Sequence, residues 1–299
     1  MSRGWLLQRE RGSRFALRLI TWIALHLGRA SARILLYPIC IYFLTFAGRA
    51  RRASRQYLQR VLGCRANIMH VGHHFHSFAA TILDRVFLLT DRYGQFDVSI
   101  HGAESILQRV QRKQGCLLLG AHLGSFEIMR TLGIDKAGLP ISVLMYEDNA
   151  AKTIEIAKAL NPELANTVIP IGGVDSLLLV KEKLDQGQLV GLLGDRTLAH
   201  DKIVYCSFLG ERAVFPAGPM LLAAAVKAPV FLCFGLYRGG NRYEVHCELF
   251  AERVDIPRAG SGQELQHWVQ RYAERLEHYC RVAPYNWFNF YDFWAAAAP

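Results

Sequence analysis

The stretch Cys116-Leu-Leu-Leu-Gly-Ala-His-Leu-Gly-Ser-Phe-Glu127 opens with an uncharged apolar run of the length and composition of a buried strand. It closes with polar residues set around two glycines. His122 and Glu127 stand five residues apart. On an undistorted helix five steps turn roughly 500°, about 140° net, so the two side chains could not share a face. They converge only if His122 ends the strand, Gly124 makes the turn and Glu127 sits in the first helical turn. A carboxylate there holds an imidazole in one tautomer and makes it a better base near neutral pH. Such a pair can take a proton from a hydroxyl or an amine. The spacing by itself also fits a surface histidine near a helix start, because it arises easily by chance.

Around this stretch, short apolar strands alternate with amphipathic helices from about residue 66 onward. Strands are expected at Phe96–His101, Gly115–Gly120, Ile141–Tyr146, Leu189–Leu193, Pro229–Tyr237 and Arg242–Phe250. Helices are expected at Ala103–Lys113, around Phe126–Leu132, at Ala150–Leu160, at Ser176–Gln186 and at Gln263–Arg281. Asp175 can cap the helix at Ser176, and Gly187 is placed to end it. Gly239-Gly240-Asn241 turns the last two strands. Repeated strand-then-helix order implies an α/β fold: a largely parallel central sheet covered by helices, with active groups at strand C-terminal ends.

The charge is divided unevenly. The whole chain of 299 residues carries +10. Residues 1–65 hold thirteen arginines, no lysine and one acid, Glu10, for +12; the rest of the chain is at −2. This basic segment is also very apolar. Arginine among hydrophobic stretches suits a lipid surface rich in phosphate, which guanidinium groups bind in bidentate fashion. Nucleic acid is the competing polyanion, but the arginines bracket Leu19–Gly28 and Ile34–Ala47 and form no polar stripe with exposed aromatics. The expected partner is therefore the anionic membrane and not nucleic acid. As a helix, the fourteen residues Ile34–Ala47 would reach only ~21 Å against a ~30 Å hydrocarbon core, and Pro38 disfavours a regular helix there. Two short helices in one leaflet fit better than a crossing, though a single tilted span drawing on Leu35–Gly48 stays open. No small-residue cleavage site ends the apolar region, which argues against a secretory signal. If a span exists, Arg49, Arg51, Arg52 and Arg55 put its C-terminal side in the cytoplasm. Residues 1–65 are thus read as a basic, amphipathic, membrane-associated helical segment, and 66–299 as one α/β domain.

Seven widely spaced cysteines with no C-x-x-C fit reduced thiols, not a disulfide framework or a zinc ribbon. His70-Val-Gly-His-His-Phe-His76 superficially resembles a histidine box, but the remaining histidines are solitary and no H-E-x-x-H occurs. No metal is expected. The stretch reads as a helix packed beside the site, with His74 as a polar contact. Asp84 and Arg85 read as a local pair.

Four blocks in order resemble the bacterial late acyltransferases of lipid A biosynthesis, within the glycerolipid acyltransferase superfamily. His122-Leu-Gly-Ser-Phe-Glu127 resembles the H-x4-D/E catalytic block, and Gly191-Leu-Leu-Gly-Asp-Arg196 a strand ending in a polar pair. Phe215-Pro-Ala-Gly-Pro219 resembles the acceptor-side block, and Ala228-Pro-Val-Phe-Leu-Cys233 the apolar strand after it. The likeness extends to the basic apolar N-terminus and the aromatic tail. It implies acyl transfer from a thioester of acyl carrier protein or coenzyme A to a lipid-like acceptor at the cytoplasmic face of the inner membrane, with no cofactor. On that likeness His122 is the general base and Glu127 orients it. Ser125 and Cys116 are set aside as nucleophiles, because Ser125 reads as a turn residue and Cys116 as strand core. Backbone amides after His122, or Arg196, would stabilise the oxyanion. Asp195 would fix Arg196 or an acceptor hydroxyl, with a surface ion pair between Asp195 and Arg196 as the plain alternative. Gly218 and Pro219 would shape the backbone beside the acceptor, or merely start a helix.

Two departures from the pattern stand out. Where the family usually presents an arginine after Ile141–Tyr146, this chain has Glu147-Asp148-Asn149. Its C-terminal block, Trp287-Phe-Asn-Phe-Tyr-Asp-Phe-Trp294, lacks the family's basic residues. Both imply a less anionic acceptor than lipid A precursors, or an unusual acyl chain. Two further readings stay open: a thioesterase that activates water with the same pair, and a catalytically inactive membrane scaffold.

Overall fold

Apolar runs without alternation form the middle of one sheet, because a strand covered on both faces has no solvent side to mark with polar residues. The computed structural model describes residues 14–90, 92–129, 141–146, 167–171, 174–198, 201–257 and 261–295. Three helices lead: α1 (Arg14–Phe46), α2 (Gly48–Leu62) and α3 (Ile68–Leu89). There follow β1 (Asp97–His101), α4 (Glu104–Gln111), β2 (Cys116–Gly120), β3 (Ile141–Tyr146), β4 (Val168–Ile171) and α5 (Val174–Asp185). The chain continues through β5 (Leu189–Leu193), β6 (Ile203–Phe208), β7 (Glu211–Pro216), α6 (Gly218–Val226), β8 (Val230–Tyr237), β9 (Arg242–Ala251) and α7 (Ser261–Val282).

Seven strands pair in the order β1-β9-β8-β2-β5-β3-β4. Their pairings are parallel except β8 with β9, which are antiparallel. The expected α/β class with a largely parallel sheet is what forms. Central β2 and β8 are buried at every position. Each leucine so buried stabilises the fold by roughly 1.5–3 kcal/mol.

Two strand features were not anticipated. Val168-Ile-Pro-Ile171 is a four-residue edge strand, a place where a proline without an N–H is tolerated. β6 and β7 form a separate hairpin in which Val204, Cys206 and Phe208 are buried and Ile203, Tyr205 and Ser207 exposed. Ile203 and Tyr205 on the outer face hid the alternation. The helix expected from Ser176 begins two residues earlier, so Asp175 lies in its first turn, and Gly187 follows its end at φ 78°. After His122 a helical turn covers 126–129. The rest of the helix expected to Leu132, the helix expected at Ala150–Leu160 and Glu147-Asp148-Asn149 lie outside the described residues.

The two helices expected from the two apolar stretches are present as the halves of α1, which meet at a kink at Gly28. α1 runs through Pro38 and bends at Gly28, whose φ of 83° no helix holds. It lies antiparallel along α3. Arg92 donates to Leu25 O at 2.9 Å, Arg29 pairs with Asp84 at 2.7 Å, the Tyr37 and His76 rings meet at 5.4 Å, and Leu44 touches Gly72 at 3.4 Å. Asp84 therefore pairs with Arg29 and Tyr243, not with its neighbour Arg85. Tyr57, Leu58 and Val61 of α2 share one apolar cluster with Leu117, Leu119 and Leu232 of the sheet.

Candidate active site

β2 and β5 run side by side with Gly120 opposite Leu193. Two residues beyond those partners stand His122 and Asp195. That register sets the site. Asp195 Oδ1 lies 2.8 Å from His122 Nδ1, and both carboxylate oxygens lie 3.1 Å from the His122 amide. Trp287 Nε1 and Asn289 Nδ2 donate to Oδ2 at 2.9 and 3.0 Å. Asp195 is fully buried. A buried carboxylate is stable only when its lone pairs are filled, and here five donor contacts fill them.

The backbone around His122 is equally constrained. Its carbonyl accepts from Phe288 N at 2.8 Å; Gly124 N donates to Asn286 O at 2.8 Å and Ser125 N to Gly235 O at 2.7 Å. Gly124 turns the chain at φ 70°, and a Cβ there would lie 2.0 Å from Gly235 O. Only glycine fits this bend. The strand-turn-helix geometry expected around His122 is therefore present, with Gly124 at its corner.

The partner of the imidazole differs from expectation. Glu127 does not occupy Nδ1; Asp195 does. Glu127 Oε1 instead faces Arg85 Nη2 of α3 at 2.8 Å. The cause lies in direction: the turn at Gly124 carries Glu127 out toward α3, whereas parallel pairing brings Asp195 up beside His122. Asp195 and Arg196 are also not a surface ion pair. Arg196 Nε donates to Asn289 Oδ1 at 2.7 Å and Nη2 to Phe288 O at 2.9 Å, so Arg196 is seated on the C-terminal segment beside Asp195.

Charge follows geometry. Burial alone would raise the Asp195 carboxyl; the His122 ring, Arg196 and the His122 amide outweigh it and hold the group well below the usual carboxylate range. An ionised Asp195 only accepts, so His122 Nδ1 carries the hydrogen and Nε2 the lone pair. Burial, then the Arg196 cation, lower His122 below the ordinary histidine value against the pull of Asp195. The His122 side chain keeps 30% of its surface exposed. A neutral, oriented, partly open imidazole is the arrangement a general base requires.

The other expected residues fall elsewhere. Gly218 and Pro219 form the first turn of α6, and among the described residues no hydrogen bond joins them to His122. Cys116 is buried and burial pushes its thiol up to about 11, which suits strand core. The amides of Gly124 and Ser125 already have acceptors, so they are not oxyanion donors. His70 and His74 do not converge: His70 closes a capping box with Asn67, while His74 bonds Ser54 and Trp287.

Trp287 and Asn289 were missed as holders of Asp195. One signal was available, since residues two apart in extended chain face the same side. The chain matches the family model described as bacterial lipid A biosynthesis acyltransferase over residues 6–295. No curated protein matches it.

Proposed function

The chain belongs to the bacterial lipid A biosynthesis acyltransferase family, and from that premise we propose that it moves an acyl chain from an acyl carrier protein or coenzyme A thioester to a hydroxyl or amine of a lipid-like acceptor. The observation that carries this reading is the His122–Asp195 pair, with Nδ1 tied to a buried carboxylate and the ring partly open. Nε2 takes the acceptor proton as oxygen or nitrogen attacks the thioester carbonyl. Asp195 stabilises the imidazolium so formed. The tetrahedral intermediate collapses, the C–S bond breaks, and the imidazolium returns its proton to the leaving thiolate. The products are ester or amide and free carrier thiol. No covalent enzyme intermediate is required.

With the Gly124 and Ser125 amides occupied, Arg196 is the cation assigned to the developing oxyanion. Glu127 braces α3 through Arg85 and so shapes the wall beside the base. The refinement toward a less anionic acceptor rests on the missing basic residues after Trp287, whose neighbours instead hold Asp195 and Arg196.

The site is assigned to the cytoplasmic face of the inner membrane. Among the described residues, Trp22–Phe46 is long and apolar enough to cross a bilayer by length and composition. Its packing against α3 favours lying in one leaflet instead. Ala24, Ala32, Leu36 and Cys40 face the protein, and Leu27, Ile34, Tyr37, Ile41 and Phe46 face outward. Exposed Arg49, Arg52 and Arg55 follow at the start of α2, placed for lipid phosphates. Flotation should succeed with phosphatidylglycerol vesicles and weaken with salt and with phosphatidylcholine alone.

Incubating purified protein with acyl carrier protein or coenzyme A thioester, with and without lipid acceptors, tests the activity. Acceptor-dependent acyl lipid supports transfer. Free fatty acid without acceptor would make it a thioesterase, and no thiol release would leave a scaffold. Acylation of lipid A precursors alone, with neutral and zwitterionic lipids refused, rejects the acceptor refinement.

A further inference from the structure

We propose that Trp287 is a positioning residue for the base: its indole N–H fixes the Asp195 carboxylate, and buried His74, steadied by Ser54, fixes Trp287. This rests on His122 being the base.

Four hydrogen bonds run in series through the interior. Ser54 Oγ of α2 lies 2.9 Å from His74 Nδ1 of α3; His74 Nε2 lies 2.9 Å from Trp287 O; Trp287 Nε1 lies 2.9 Å from Asp195 Oδ2; Asp195 Oδ1 lies 2.8 Å from His122 Nδ1. The hydrogens can be assigned along the whole series. The Trp287 carbonyl only accepts, so His74 Nε2 carries a hydrogen, and Nδ1 accepts from the Ser54 hydroxyl. Every link therefore has one donor and one acceptor.

Ser54, His74, Trp287 and Asp195 are each fully buried. The series is stiff because its joints are packed. The Trp287 ring meets Tyr57, Phe208 and Phe293 at centroid distances of 5.0, 5.2 and 4.8 Å. His74 packs against Tyr57 and Phe290. Burial drives its ring down to about 3, so it stays neutral and acts as a fixed donor and not as a second base. A leucine would fill the space but take one of the two donors from the Trp287 carbonyl, leaving it the Asn289 amide at 3.0 Å, and deprive the Ser54 hydroxyl of its His74 acceptor. A glutamine could still donate to that carbonyl.

The consequence for the base is directional. Asp195 must present Oδ1 to His122 while Oδ2 is held elsewhere. Trp287 and Asn289 hold it. Without the indole hydrogen bond the carboxylate becomes more basic and freer to rotate. The first effect stabilises imidazolium and raises the His122 pKa; the second weakens orientation and lowers kcat. The other groups facing the pair, Arg196, Asn289, Tyr272, Cys280 and Tyr291, are unchanged by substitution at Trp287.

The test uses the full-length protein in detergent or lipid. Trp287→Phe should lower kcat about tenfold, the equivalent of one hydrogen bond, leave both KM values unchanged, and move the acid limb of kcat/KM upward. Histidine-selective 15N spectra should show the same upward move for the His122 titration without any turnover. His74→Leu should behave likewise, and His74→Gln should restore most of kcat. Folded Trp287→Phe with wild-type kcat and an unmoved His122 titration overturns the proposal, as does equal kcat in the leucine and glutamine variants. If His74→Leu does not fold, Ser54→Ala takes its place: loss of the single Nε2–H tautomer at His74 with reduced kcat supports the series, and unchanged kcat overturns it. Should His122→Ala keep full transfer activity, the reading of the base fails instead, whatever the positioning variants do.

Discussion

His122 and Asp195 meet because β2 and β5 pair in parallel with Gly120 opposite Leu193, which brings the residue two places beyond each to the same height. The Nδ1–Oδ1 distance of 2.8 Å is a consequence of sheet register and not of local sequence. The H-x4-E spacing thus marks the base but not the carboxylate that orients it.

Exchanging the two carboxylates separates their roles. Asp195→Asn should reduce kcat by about two to four orders of magnitude, since a neutral amide no longer stabilises imidazolium and can present a donor to Nδ1. Glu127→Gln removes half of a salt bridge to Arg85 and should cost about tenfold or less. Steady-state kinetics on both variants decides the assignment, and the reverse ranking refutes it.

The pH dependence has a definite sign. Burial and Arg196 lower the His122 pKa, so the neutral, competent ring persists below the ordinary histidine value of about 6.5. The acid limb of kcat/KM should lie below that value. Arg196→Met removes the cation and should shift the limb upward. A limb that does not move would remove Arg196 from the neighbourhood of the base.

Acid should unfold the protein in two windows. His74 sits at about 3 when folded, against about 6.5 unfolded. The unfolded chain therefore binds the extra proton, and stability is lost as pH falls from about 6.5 toward 3. Asp195, held far below its usual value, adds a second loss as pH drops below about 4. Denaturation midpoints measured across pH check this. His74→Gln should shrink the first window to what His73, His76, His122 and His246, also lowered by burial, contribute, and spare the second.

Arg29 and Asp84 latch α1 to the sheet through Tyr243. Asp84 is fully buried and the Arg29 side chain 13% exposed. Removing one partner strands a buried charge, so Asp84→Ala should destabilise the fold by about 3–5 kcal/mol. Asp84→Ala combined with Arg29→Met should recover part of that loss. Chemical denaturation of the two variants measures it.

Gly124→Ala should abolish the site. The residue must hold φ 70°, and the added methyl would collide with Gly235 O. The left-handed backbone alone costs roughly 1–2 kcal/mol, and the clash moves the segment that carries His122. Loss of activity with a lowered melting temperature is the expected result; a fully active variant would contradict the bend.

Legibility followed physical range. The apolar runs, the glycine bend after His122, the GGN turn and the long amphipathic α7 could be read directly, since each is a property of neighbouring residues. β4 escaped because it is four residues with a proline, and the β6–β7 hairpin because Ile203 and Tyr205 face outward. Pro38 was read as an obstacle to a helix that α1 nevertheless forms, supported along its length by α3. Asp84 and Arg85, adjacent in sequence, look like a pair and each bonds a distant partner instead.

The order and periodicity of residues were enough to specify an α/β chain with a basic apolar leader and to single out His122, because strand burial, turn chemistry and charge are local. Which carboxylate serves the imidazole was decided only on folding. Parallel pairing of β2 with β5, the return of the Trp287–Asn289 segment and the closing of α2 and α3 over it join residues as far apart as His74 and Trp287, 213 positions from each other. Contacts at such separation are set by how whole elements stack and leave no trace in any short window of sequence.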